Sequence, residues 1–109
     1  MRYTVIANQR VWVALDGERP VGFASLEGQW LEQLYVDPQA QGAGVGRALL
    51  QAVKDASPSG LWLHVFSRNA RARRFYEVAG FTLTEVSDGS RNEESEPDCT
   101  YHWQSAPSD

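Results

Sequence analysis

"YVDPQAQGAGVGRALLQAVKDA", residues 35–56, sets glycine at positions 42, 44 and 46 and then begins a run whose apolar residues recur every three or four positions. Val45, Ala48, Leu49, Ala52, Val53 and Ala56 fall on one face of a helix, and that face is expected to be buried. Glycine is a poor helix former, so its repetition at the head of this helix needs a reason other than helix stability. Missing Cβ atoms let another object approach the backbone, and the first amides of any helix have no partner inside it. With the positive end of the helix dipole behind those amides, the stretch predicts an anion site, and phosphate is the natural occupant. The competing reading is a glycine-rich connector with no ligand. Spacing excludes two familiar phosphate loops. A triphosphate loop closes on Gly-Lys-Ser/Thr, whereas this helix opens Gly46-Arg47-Ala48; a dinucleotide fingerprint runs Gly-x-Gly-x-x-Gly, whereas these glycines alternate.

Upstream, "VWVAL" (11–15) and "VGFASL" (21–26) flank Asp16-Gly17, a hairpin signal. A second turn at Glu27-Gly28 leads into "QWLEQLYV" (29–36), which completes an antiparallel meander of three strands; Asp37-Pro38 ends it, because proline cannot donate to a ladder. Residues 1–10 read as a short lead. Downstream, "SPSG" (57–60) stops the helix and "LWLHVF" (61–66) has the composition of a buried strand. "NARARRFYEVAG" (69–80) reads as a second helix with Ala72, Phe75, Tyr76 and Ala79 on one stripe, and Gly80 sits where a left-handed terminator belongs. "FTLTEV" (81–86) and "CTYHW" (99–103) read as strands separated by the polar loop 87–98, and residues 104–109 as a frayed tail. The expected fold is a mixed α/β (α+β) single domain over residues 1–109 with the order β-β-β-α-β-α-β-β.

Composition narrows the function. A chain of 109 residues with 42% hydrophobic and 22% charged residues has the make-up of one folded domain with one core. A formal charge of −4 argues against nucleic acid as a partner. No stretch has the apolar length of a bilayer span, and "MRYTVIANQR" lacks the apolar core of a signal peptide, so no membrane partner and a cytoplasmic location are expected. Cys99 is the only cysteine, which leaves no internal disulfide and no cysteine-built metal site. It is expected to act as a small hydrophobe. No metal is expected.

"QAQGAGVG" (39–46) resembles the signature loop of the GNAT superfamily of acyl-CoA-dependent N-acetyltransferases. The preceding "LEQLYVDP" (31–38) and the later "NARARRFYEVAGF" (69–81) resemble the strand before that loop and the family's second motif, and the likeness runs from about Val11 to Trp103. The resemblance implies that Gln41, Gly42, Ala43, Gly44, Val45 and Gly46, with Arg47 beside them, hold the pyrophosphate of coenzyme A. It implies that Leu34, Tyr35 and Val36 offer backbone groups to the pantetheine amides, and that Asn69 contacts the pantetheine or thioester end. It also implies that Tyr76 protonates the departing thiolate, a role that suits a phenol because its ordinary pKa is close to that of an alkyl thiol.

An amine attacks a thioester only as the neutral base. Glu32, two residues before Leu34, can take its proton directly or through a water; His64 is the other candidate, since histidine titrates near neutrality. Arg68, Arg71, Arg73 and Arg74 either meet phosphates or form a solvated helix face. The acidic "EESEPD" (93–98) either attracts a cationic amine or is simply a soluble loop.

A typical family member carries a strand and one or two helices ahead of the hairpin, where this sequence has residues 1–10. The acceptor side is therefore expected to be open or completed by a partner. Trp12, Phe23 and Trp30 are expected on uncovered apolar surface, and a homodimer follows from that surface. The implied activity is transfer of an acetyl group from acetyl-CoA, as co-substrate, to a primary amine of a small molecule or peptide by direct attack. The alternative is an acyl-CoA-binding module or oligomerising relative without transferase activity.

Overall fold

Strands open the chain, and they begin earlier than the turn signals suggest. The computed structural model describes residues 3–90 and 93–104. Contacts divide the chain after Pro58 into two units. The first contains strands β1 (Tyr3–Asn8), β2 (Val11–Asp16), β3 (Arg19–Glu27) and β4 (Trp30–Val36) and helix α1 (Val45–Asp55). Each strand pairs antiparallel with the next.

Strand β1 corrects the reading of residues 1–10 as only a short lead, and with it the expected absence of a strand before the hairpin. "YTVIAN" pairs residue for residue with β2, from Tyr3 opposite Asp16 to Asn8 opposite Val11. The turn between them is Gln9-Arg10, with Gln9 at φ 60°. Such a conformation is usually given to Gly, Asn or Asp, so no familiar turn residue announces the hairpin.

Two bulges shape the meander. Between β2 and β3 the register advances from Ala14–Gly22 to Leu15–Pro20, which leaves Val21 unpaired in the ladder. Its carbonyl instead accepts the amide of Asp37, at 2.8 Å, at the end of β4. Between β3 and β4 the register passes from Ser25–Gln33 to Leu26–Leu31, so Glu32 is the extra residue of β4. A bulge of this kind re-aims the side chain that carries it.

Helix α1 buries Val45, Leu49, Leu50 and Val53. Leu50 widens the expected apolar face, while Ala56 lies past the last turn as the C-cap and is exposed. The helix lies on the sheet face that carries Gly22 and Ala24. A Cβ at Gly22 would stand 2.7 Å from the Tyr35 carbonyl oxygen and 3.1 Å from both Leu49 and Val45, so the missing side chain sets how closely α1 approaches. Trp12 pairs with Ala24 on that same face and is only 6% exposed. This corrects its expected place on uncovered surface: the helix covers it. Phe23 and Trp30 are half-buried, and the large apolar side chains left exposed in this unit are Ile6, Val11 and Tyr35.

The second unit contains β5 (Leu61–Phe66), helix α2 (Ala70–Val78), β6 (Thr82–Ser87) and β7 (Asp98–Trp103). Strand β7 lies between β5 and β6 and is antiparallel to both. Leu61, Leu63 and Val65 alternate inward along β5, Leu63 and Val65 opposite Tyr101 and Cys99 of β7, and Phe81 is buried as well. Cys99 is buried, with its thiol 3.4 Å from the Ser67 hydroxyl. The left-handed terminator expected at Gly80 is present, with φ 98°. The Gly80 and Phe81 amides fold back to the carbonyls of Glu77 and Tyr76, at 3.1 and 3.0 Å. The expected tail at 104–109 lies, from residue 105, outside the described residues. Among the described residues no helix is long and apolar enough to cross a membrane.

Candidate functional site

In the first unit the end of β4, a short turn and the head of α1 are built as one assembly. Asp37 accepts the Gln39 amide at 2.9 Å and so caps a 3-10 turn over Pro38–Ala40. Arg19 braces that turn from β3, donating to Asp37 at 3.5 Å and to the Gln39 side-chain oxygen at 3.4 Å. Gln41 then turns its side-chain amide back to the Val36 carbonyl, at 3.3 Å, and ties the glycine loop to the last residue of β4. Its role here is to hold the loop in place.

Gly42 and Gly44 adopt φ of 85° and 86°, the left-handed region that side chains other than glycine enter at a cost. A Cβ at Gly42 would touch nothing within 4 Å, so conformation rather than crowding selects that glycine. Gly44 is the N-cap of α1, and no side chain caps the helix. The first-turn amides of Val45, Gly46 and Arg47 precede the first intrahelical bond, which runs from Ala48 to the Gly44 carbonyl at 3.0 Å. No acidic residue stands in that first turn to offset the dipole, and Arg47 is exposed beside it. Gly42, Ala43 and Gly44 are also exposed. The assembly offers donors and positive potential to an anion from solvent.

Leu34 and Val36 are half-buried on the face that α1 covers, whereas Tyr35 is 50% exposed on the other, its ring 5.8 Å from that of Phe23. Glu32, the bulge residue, is exposed.

In the second unit Asn69 is the N-cap of α2 and accepts the Ala72 amide at 3.1 Å. Its carbonyl oxygen thus caps the helix, and the side-chain NH2 is the donor it can offer a ligand. Tyr76 is half-buried, with its ring edge-on to Phe75 at 5.2 Å and to Phe81 at 5.5 Å. Burial pushes its phenol up to about 12. His64 is exposed on β5, with Nδ1 3.2 Å from the Thr100 hydroxyl.

The four arginines divide. Arg68 pairs with Glu96 at 3.2 Å and lies over the Phe66 ring. Arg73 donates to the Tyr101 hydroxyl and to the Ser67 carbonyl, at 3.1 and 3.3 Å. Arg71 and Arg74 are exposed. The Tyr101 hydroxyl in turn donates to Glu77 at 2.5 Å. The structure thus gathers Leu34–Arg47 into one assembly and sets Asn69 and Tyr76 on one helix. Sequence reasoning missed Gly22 and Arg19, which shape and brace the first group, and Tyr101, which anchors the second. A glycine inside a strand pattern was the available signal for Gly22.

A helix head without a side-chain cap and fronted by left-handed glycines, on a mixed α+β framework, presents backbone donors to which an anion can bind. The family model of the acetyltransferase (GNAT) domain matches residues 7–83, and the chain belongs to that family. The peptidyl-lysine N-acetyltransferase YjaB of Escherichia coli is 38% identical over 79 residues, covering 72% of this chain and 53% of YjaB. The chain therefore spans about half the length of that curated relative. The solution structure of apo YjaB superposes with a TM-score of 0.76 at 33% identity, over 88% of this chain and 65% of the other. A Bacillus anthracis structure described as a putative streptothricin acetyltransferase, in complex with acetyl coenzyme A, shares the fold. Its TM-score is 0.80 at 22% identity, over 93% of this chain and 66% of that one.

Proposed function

We propose that this chain transfers the acetyl group of acetyl-CoA to a primary amine, a peptide lysine or the amine of a small molecule, by direct attack in a ternary complex. The observation that carries this reading is the head of α1, where Gly44 caps in a left-handed conformation and supplies no side-chain cap hydrogen bond. The diphosphate of coenzyme A is an anion whose oxygens can accept from those donors. Relatives named as peptidyl-lysine N-acetyltransferases support the lysine acceptor.

In this reading Gln41–Arg47 hold the diphosphate and the backbone of Leu34–Val36 pairs with the pantetheine amides. Glu32 takes a proton from the ammonium, directly or through a water, and releases it to solvent. The freed nitrogen lone pair attacks the thioester carbonyl and the C–N bond forms; the nitrogen, now positively charged, loses its second proton to solvent, and the C–S bond breaks on collapse of the tetrahedral intermediate. Tyr76 gives its proton to the departing thiolate and regains one from solvent. The chain works as a homodimer that covers exposed apolar side chains such as Ile6 and Val11.

Calorimetry with acetyl-CoA beside a thiol-release assay over lysine peptides and small amines tests the function. Binding and release are expected. Binding without release on any amine supports instead a module that holds acyl-CoA, and absence of binding overturns the proposal. A mass measured in dilute solution tests the dimer.

A further inference from the structure

The second unit contains a buried polar group for which the transfer reaction has no direct use. Tyr101, in the middle of β7, is fully buried, at 0% exposure. Its hydroxyl nonetheless makes both of the hydrogen bonds its chemistry favours: it accepts from Arg73 Nε at 3.1 Å and donates to Glu77 Oε2 at 2.5 Å. Arg73 and Glu77 are four residues apart on α2 and therefore lie one above the other on a single helix face. Arg73 also donates to the Ser67 carbonyl, just past the end of β5, at 3.3 Å. Two successive turns of α2 are thus fastened to one buried oxygen, and one of them to the chain beyond β5 as well. A helix held at one turn can still roll about its axis. Held at two turns by one point, it cannot roll or slide without straining a charge-assisted hydrogen bond.

The residue whose aim this fastening controls is Tyr76, three positions from Arg73 and next to Glu77. Its ring is wedged edge-on between Phe75 and Phe81, at 5.2 and 5.5 Å, so a change in the roll of the helix carries the phenol with it. We propose that Tyr101 is a positioning residue for Tyr76, holding α2 through Arg73 and Glu77 so that the Tyr76 hydroxyl meets the departing thiolate. The inference rests on the acid role given to Tyr76 above. It assigns Tyr101 no contact with substrate or cofactor.

The test is a double-mutant cycle on turnover at saturating acetyl-CoA, with Tyr101→Phe, Tyr76→Phe and the double variant. Tyr101→Phe is expected to lower kcat about tenfold with the KM for acetyl-CoA unchanged, and to have no further effect when Tyr76 is already phenylalanine. An equal loss in both backgrounds, or no loss in either, overturns the proposal. If Tyr101→Phe does not fold, Glu77→Gln and Glu77→Ala replace it. Glutamine keeps an acceptor oxygen and is expected to retain most of the activity, whereas alanine is expected to lose it; equal activity of the two counts against the proposal. A second readout needs no catalysis: the aromatic resonances of the Tyr76 ring, assigned with Tyr76→Phe, are expected to shift in Tyr101→Phe at neutral pH. A wild-type protein inactive on every amine whose Tyr76 signals still move refutes the transferase reading and leaves the anchoring intact. An active protein whose Tyr76 signals stay put refutes the anchoring alone.

Discussion

Tyr76 carries a phenol that burial pushes up to about 12, and that value decides its protonation state. At every physiological pH it holds its proton, as the acid role proposed for it requires, while the raised value makes it a weaker acid than an ordinary phenol. Replacing it with phenylalanine removes the proton and little else, because the ring contacts with Phe75 and Phe81 remain. Turnover at saturating acetyl-CoA is therefore expected to fall by about a hundredfold or more, with the KM for acetyl-CoA little changed and the melting temperature close to wild type. The pH profile carries the same information. Transfer is expected to rise with pH as the acceptor loses its proton and to show no falling limb up to pH 10, because burial raises the phenol above that. A falling limb centred below pH 10 and abolished in Tyr76→Phe sinks the assignment of a high phenol pKa. Linkage has the matching sign. The folded-state value lies above the unfolded value of about 10, so this tyrosine favours the folded state below pH 10. The contribution is lost as pH rises through the folded-state value.

Helix α1 delivers the glycine loop only because the sheet lets it come close. At Gly22 a methyl group would stand 2.7 Å from the backbone oxygen of Tyr35, which cannot swing aside as a side chain can, and 3.1 Å from Leu49 and Val45. Gly22→Ala is accordingly expected to destabilise the fold by about 1–3 kcal/mol and to weaken acetyl-CoA binding, because the atoms that must give way lie directly under the helix head. Chemical denaturation and calorimetry measure the two effects. Unchanged stability would show that the helix yields freely. At the head of α2 the substitution that informs is Asn69→Asp. Aspartate keeps the oxygen that caps the Ala72 amide but removes the NH2 donor. Stability is expected to hold within about 0.5 kcal/mol while acetyl-CoA binding weakens; equal affinity means that Asn69 serves the helix alone.

For the whole chain, what could be read from sequence is what is local in sequence. The periodicity from Val45, the left-handed Gly80 and the proline stop at Pro38 each depend on residues a few positions apart, and each stands in the structure where it was expected. Strand β1 escaped because its hairpin turns on Gln9, a residue that gives no turn signal. The Tyr101 anchor escaped because its partners lie 28 and 24 positions away, at a separation where no pattern constrains which polar groups meet. Gly22 stood in plain view, but its meaning depended on a helix packed over it from 23 residues downstream. The proposed anion site joins the local and the global, since a ligand held by the head of α1 would stabilise every element that holds α1 in place. Acetyl-CoA at a hundred times its dissociation constant is expected to add about 2.7 kcal/mol to folding, a rise in melting temperature on the order of 10 °C for a chain of this size. Gly44→Ala, which forces a side chain into a left-handed cap at a cost of about 1–2 kcal/mol, is expected to lower the melting temperature of the free protein and also to shrink the ligand-induced rise. If the variant melts earlier but keeps the full rise, the glycine shapes the helix without presenting its amides, and the diphosphate binds elsewhere.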